Sequence, residues 1–482
     1  MPPPGGPHRL RWRLDLLPRH DDTVVRSWRG ERLLAGGETE VEVRWRAKVP
    51  NGIYRMKLSA RLDDGTRAEQ SWPVAVGPVT APTAPVASRR PATLARQPAP
   101  AQPGAAEAAG YDVYLGNLHS QTNHSDGGGA LEQCHGAQNP QSGAFGPTDA
   151  YQYAQRHGLD FLMTSEHNHM YDGSDRTAAD ADPSAARALY MEGLEQAARW
   201  NAAQNKLLAL YGQEWGTIAN GGHINILNAG ALLGWERNAQ GELLAGAETP
   251  KNDYAALYRM MSERGWLGQF NHPAKDQFSI AGKPLAWSTQ GDRAMLLCEV
   301  MNTSAYSTNT SESETRRSNF ESSCNALLEA GYHVAFSSNQ DNHCANWGAA
   351  YSNRTAVLLP RNTALTADNL MAALQARRVY ATMDKHAQLI FTANGKMMGE
   401  RIRNSGKLTL QMHYTSGDGR GAAAVAFFHG VPGRNGKVSA VSSKTRHTLT
   451  PLPGEHFYYA RVTQDDGKII WSAPIWVSQQ AR

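Results

Sequence analysis

The 482-residue chain has no apolar run approaching the roughly 18 residues that a membrane-spanning helix requires. Its opening, MPPPGGPHRLRWRLDLLPRH, lacks the apolar centre of a secretory signal, so neither a span nor a signal is expected. Cysteine is scarce. Cys134, Cys298, Cys324 and Cys344 show no CxxC spacing, which argues against a thiolate zinc knuckle and permits disulfides without requiring them. An excess of one charge is also missing: 48 Lys and Arg against 44 Asp and Glu leave a formal +4, too even to imply a nucleic-acid partner. No G-x-S-x-G elbow and no P-loop occurs, so a serine hydrolase and a nucleotide-phosphate cradle have no support.

What is present is length enough for about three domains. Val41, Val43, Trp45, Ala47 and Val49 alternate with charged residues, then Tyr54, Met56, Leu58, Ala60 and Leu62 alternate up to the turn pair Asp64-Gly65. That is the period of half-buried strands, and residues 1–80 read as a small β-sandwich. Residues 81–110 are rich in Pro and Ala without apolar period and read as an extended linker. From 111 to 385, short apolar strands alternate with helical stretches at Thr148–Arg156, Ser184–Ala203, Asp253–Glu263, Phe320–Glu329 and Thr366–Arg378. Such alternation predicts an α/β domain with a parallel sheet, its ligands at the carboxyl ends of the strands. Residues 386–482 return to alternation and read as a second β-sandwich.

The strands carry the chemistry at their ends. YLGNLHSQT delivers His119, DFLMTSEHN delivers Glu166-His167, LLALYGQEW delivers Glu214, WLGQFNHP delivers His272, and HVAFSSNQDNH delivers Asp341 and His343. Five apolar runs that each end in His, Asp or Glu gather nitrogen and carboxylate donors at one edge, as a polynuclear metal site requires.

These motifs, with LHSQTNHSDG and GHINIL, resemble the PHP (polymerase and histidinol phosphatase) superfamily over about 270 residues. The resemblance implies a distorted (β/α)7 barrel holding two or three divalent ions (Mn, Zn or Fe). By the same resemblance the first ion takes His119, Glu214 and Asp341, the second Glu214, His272 and His223, and the third Asp126, His167 and His343. His223 alone begins its strand instead of ending it. Two positions depart from the family pattern. Gln121 stands where a second histidine is usual, leaving open whether the amide ligates a harder ion, weakens the first site, or yields its place to His124. Glu166 stands where Asp is usual, open between coordination, a catalytic bond to metal-held water, and orientation of His167.

The expected function is hydrolysis by a metal-bridging hydroxide, with a phosphoester favoured as substrate. Lys275, Arg293 and Asn302 are candidates to bind it. The flanking sandwiches and the WSAPIWV ending look more loosely like the carbaryl-hydrolase branch, which implies a carbamate, ester or amide hydrolase instead, with Trp215, Phe270, Tyr306 and Trp347 as lining. A degenerate barrel in a protein that binds an envelope polymer is the third reading. The layout suggests an extracytoplasmic location, with Cys134 and Cys344 close enough to site loops to brace them. Substrate choice is expected to rest on the loops 136–147, 172–182 and 303–318.

Overall fold

A computed structural model describes residues 8–18, 23–34, 43, 49–50, 52–76, 104–217, 222–274, 279–280, 283–284, 287–433 and 438–481. The chain divides into two compact units, 1–99 and 100–482.

In the first unit β1 (His8–Pro18), β2 (Arg26–Leu34), β3 (Gly52–Leu62) and β4 (Arg67–Val76) form one antiparallel sheet in the order β2-β1-β3-β4. Asp64-Gly65 turns β3 into β4, with Gly65 at φ 91°, a left-handed position that suits glycine. Most of the strand expected over 41–49 and most of the expected linker lie outside the described residues. The last linker residues are described, and Ala105–Ala108 form a helical turn.

The second unit is mixed α/β, with strand outweighing helix and several sheets. Its sheet strands are β5 (Tyr111–Asn117), β6 (Phe161–His167), β7 (Leu208–Trp215), β8 (Ile224–Ile226), β9 (Gly268–Phe270), β10 (Met295–Thr303), β11 (Ala335–Asn339), β12 (Arg354–Pro360) and β13 (Val379–Thr382). The five expected helices form within two or three residues of their expected bounds. Their ends are locally encoded: Asp182, Asp253 and Thr366 accept first-turn amide hydrogens, and Gly265 and Gly331 close two helices in the left-handed region.

The sheet is mixed where an all-parallel one is expected. β5, β6 and β7 run parallel, as do β9, β10 and β11, but β8 is antiparallel to both β7 and β9, and β12 is antiparallel to β5. The physical reason is connection length. Only residues 216–223 join β7 to β8, too few for a parallel crossover of a dozen or more.

The sheet also curls. β11, paired with β10 at one end, reaches β12 through Thr355, whose hydroxyl donates to the Ser338 carbonyl and accepts from the Ser338 amide. Beyond β13 the ladder continues into β14 (Ile469–Ser472), so part of residues 386–482 extends the same sheet within the same compact unit, while Ala387–Ala393, Lys396–Met397, Leu408–Ser416 and Arg446–Leu449 form a second, four-stranded sheet. The cysteines pair as Cys134–Cys344, 210 residues apart, and Cys298–Cys324, which ties β10 to the helix Glu321–Ala330. By loop-closure entropy the 210-residue loop destabilises the unfolded chain by roughly 5 kcal/mol.

Candidate metal centre

Five strand-end histidines, His119, His167, His223, His272 and His343, converge with Asp126, Glu214 and Asp341 in one cavity of about 750 Å³ that takes in every one of these residues but the buried His119. Glu214, fully buried at the end of β7, is the centre. One carboxylate oxygen lies 3.1 Å from His119 Nε2 and 3.6 Å from His167 Nδ1. The other lies 2.9 Å from His223 Nδ1 and 3.3 Å from His272 Nε2. His119 Nε2 also stands 3.0 Å from Asp341, and Asp126 lies 3.4 Å from His343 and 3.7 Å from His167.

The antiparallel β8 resolves the exception noted in the sequence. Trp215 pairs with Ile224, so the start of β8 lies at the edge where β7 ends, and His223 enters the cluster from the same side as its neighbours. Two members sit in the left-handed backbone region, His272 at φ 27° and Asp341 at φ 51°. Such conformations cost on the order of 1–3 kcal/mol each and persist where surroundings enforce them. Here the amide hydrogen of His272 is donated to Glu299 at 2.7 Å and that of Asp341 to the His119 carbonyl at 2.9 Å.

Three groups have donor atoms within 4.8 Å of one another and could each hold an ion: His119–Glu214–His272, His167–Glu214–His223 and Asp126–His167–His343. The third has its expected membership, whereas His272 and His223 divide between two groups. Asp126 Oδ1, His167 Nδ1, His223 Nδ1 and Asp341 Oδ1 are buried and make no hydrogen bond. Orphaned buried donors are costly, and a cation is the partner that would satisfy all four, so the residues fit the metal.

The electrostatics agree. Burial opposes ionisation of Glu214, yet His119, His223 and His167 hold its carboxyl well below the usual range. Asp126 and Asp341 are also lowered against burial by their histidines. Burial opposes charge on His343 and His272, but the facing carboxylates lift them to about 10 and about 9. Without an ion the carboxylates are therefore anionic at neutral pH and His343 and His272 are protonated beside them, so a cation that binds there takes the place of those protons and releases them.

Gln121 turns its amide toward Glu214 in this arrangement. Its amide nitrogen donates to Glu214 at 2.6 Å, and a nitrogen bearing two hydrogens offers a cation no lone pair. Its oxygen accepts from Ser125 at 3.2 Å, so the side chain braces Glu214. His124 is no substitute: it faces the Tyr211 hydroxyl at 2.8 Å, and burial lowers its pKa to about 4. The glycine that ends this motif has a packing role, since a Cβ on Gly127 would meet the Gln121 backbone at 2.5 Å.

Of the roles left open for Glu166, coordination and a catalytic bond find no contact with the cluster. Successive strand residues face opposite sides, so His167 enters the cluster and Glu166 turns away. Both its oxygens are taken by the 121–125 loop, from the Thr122 amide at 2.9 Å, the Thr122 hydroxyl at 2.7 Å and the Ser125 hydroxyl at 2.7 Å.

Among the substrate candidates, Lys275 lies outside the described residues. Arg293 is exposed on a short helix away from the cavity wall. Asn302 is buried and donates to Glu299 at 3.1 Å without lining the cavity. Trp215, Phe270 and Trp347 are packed in the interior, and Tyr306 alone of the expected aromatics reaches the cavity wall.

The sequence reading missed several participants. Glu299, mid-strand on β10, lies 3.1 Å from His119 Nδ1 and accepts from Asn302 and Asn339. Asn271 donates to Glu214 at 2.8 Å. Trp235, Arg176 and Lys251 line the cavity's outer part. Glu299 interrupts the apolar run LLCEVM, and that buried carboxylate was the available signal.

No family model matches the chain. An uncharacterized protein of Chlamydia pneumoniae is 31% identical over 134 residues, 23% of this chain and 21% of its own length. The chain thus spans about a fifth of that curated relative. Solved structures that align with it include fibronectin(III)-like modules of Clostridium thermocellum CbhA, at 20% identity over 19% of this chain and 99% of theirs, with a TM-score of 0.15. A β-glucuronidase of Parabacteroides merdae aligns at 9% identity over 100% of this chain and 61% of its own, with a TM-score of 0.17. At such scores neither carries an argument about fold or chemistry.

Proposed function

We propose that the chain is a metal-dependent hydrolase of the PHP type, its curled sheet a distorted (β/α)7 barrel and its substrate a phosphoester. The observation that carries the reading is the convergence of buried imidazole nitrogens and carboxylates on Glu214, with atoms of Asp126, His167, His223 and Asp341 that make no hydrogen bond. Divalent ions held there would acidify a shared water and offset the charge that develops on the attacked centre.

The chain's own residues supply order and exclusion. Glu299 orients His119 through Nδ1, leaving Nε2 for the cluster. Gln121 and Asn271 each donate to a different oxygen of Glu214 and so fix its carboxylate. Arg176 and Lys251 in the same cavity favour an anionic substrate over a neutral carbamate. The carbamate, ester or amide reading draws its support from Trp235 and Tyr306 on the walls.

The test is metal content per chain by mass spectrometry, for wild type and His272→Ala, with turnover of bis(4-nitrophenyl) phosphate, 4-nitrophenyl phosphate and a naphthyl carbamate. Two or three ions in the wild type, fewer in the variant, and phosphoester turnover that follows them are expected. Carbamate turnover alone would transfer the assignment to the second chemistry. A wild type that binds no ion would overturn both and favour a binding protein.

A further inference from the structure

The cavity extends well beyond the metal cluster, and its outer wall is built differently. A series of rings leads outward: His167 lies 5.6 Å from His169 between centroids, and His169 lies 6.3 Å from Trp235 at an interplanar angle of 21°. Trp235 is backed edge-on by Trp215 at 5.6 Å, which fixes its plane. Lys251 Nζ stands 5.6 Å from the Trp235 centroid.

Three cations line this region, and they are not equivalent. Arg237 is committed to Glu248 at 2.9 Å and to the Gly241 carbonyl at 2.9 Å. Arg176 and Lys251 have no carboxylate within ion-pair distance among the described residues. Asp175, the nearest acid in sequence to Arg176, is turned to His169 at 3.6 Å. Two further wall atoms, His169 Nδ1 and Thr217 Oγ1, are buried without a hydrogen-bond partner. Glu236 also lines this wall, but burial pushes its carboxyl up to about 7 and it accepts from the Thr177 hydroxyl at 2.9 Å. An aromatic plane beside two cations outside any ion pair and two orphaned polar atoms matches a flat ring that carries an anion.

We propose that this outer half is a specificity subsite for phosphoesters bearing a flat ring with an acidic substituent, the ring lying on Trp235 and the acid between Arg176 and Lys251. The proposal rests on the reading of the inner half as a hydrolytic centre. A volume of about 750 Å³ accommodates a substrate of that size.

The test compares kcat/KM for methyl phosphate, phenyl phosphate and 4-carboxyphenyl phosphate by release of inorganic phosphate. The wild type is expected to prefer the carboxylated ring over phenyl phosphate by roughly tenfold, as one charge-assisted contact provides. In the double variant Arg176→Ala/Lys251→Ala that ratio falls toward one, and in Trp235→Ala the phenyl-to-methyl ratio falls. No preference in the wild type, or equal losses on both substrates of a pair, overturns the proposal. If no phosphate is released from any substrate, the hydrolytic reading fails and calorimetry decides the subsite alone. A preference for 4-carboxybenzylphosphonate over benzylphosphonate that disappears in the double variant supports it; equal binding overturns it.

Discussion

His167 and Glu214 are partners across the ladder of β6 and β7, and so are the residues just before them, Glu166 and Gln213. All four are buried and polar, yet the two faces of the same strands do different work. On one face the donors meet one another and leave atoms unpartnered. On the other every group is satisfied: Glu166 by Thr122 and Ser125, and Gln213 by the Leu233 amide, the Ala231 carbonyl and the Tyr190 hydroxyl. The carboxylates answer accordingly. Burial raises Glu166 to about 6, with only neutral hydroxyls and an amide to oppose it. Burial acts equally on Glu214, but the surrounding imidazoles overrule it. Both faces are buried and polar; what sets the first apart is that carboxylate and imidazoles from five segments meet there.

The comparison can be broken most forcefully at Glu214. Glu214→Ala should release bound metal and reduce phosphoester turnover on the order of a thousandfold, since one residue serves two ligand groups. Metal content and kcat measured together would check it, and retained metal would remove Glu214 from the centre. Glu299→Gln should act less strongly, lowering metal affinity roughly 10- to 100-fold because His119 loses the carboxylate that orients it. Competition with a chelator gives the number.

Glu166 tests the other face. Its folded pKa of about 6 lies above the ordinary 4.5, so the stability linked to it is complete below pH 4.5 and lost as the pH rises through 6. The loss amounts to roughly 2 kcal/mol. Denaturant unfolding in chelator between pH 4 and 7 should show that step in the wild type and not in Glu166→Gln, while metal content at neutral pH is preserved in the variant. Loss of metal in Glu166→Gln would erase the distinction between the faces. The smallest effect is expected from Gln121→His. Exchanging a brace for an imidazole should raise metal affinity by less than about tenfold, and a large loss of turnover would show that the amide bond to Glu214 outweighs an added ligand.

Much of the site was legible because an apolar run that suddenly ends in His, Asp or Glu has few structural explanations. His119, His167, Glu214, His272, Asp341 and His343 were found in this way. Glu299 and Asn271 were missed because their roles lie across the sheet, in bonds to residues distant in sequence. Trp235, Arg176 and Lys251 were missed because loops carry no period to read. The helices were legible because their caps are local: Asp253 and Gly265 start and stop backbone bonding within four residues.

The sequence by itself determined the elements and the strand-end donors, because amphipathic period, caps and turn pairs act over a few residues. Only the tertiary structure decided which donors meet. Strand direction brought His223 to the same edge as its neighbours, and side-chain alternation sent Glu166 away from the cluster that His167 enters. Both depend on pairing between segments far apart in the chain, where ladder hydrogen bonds and burial, not local preference, set the outcome.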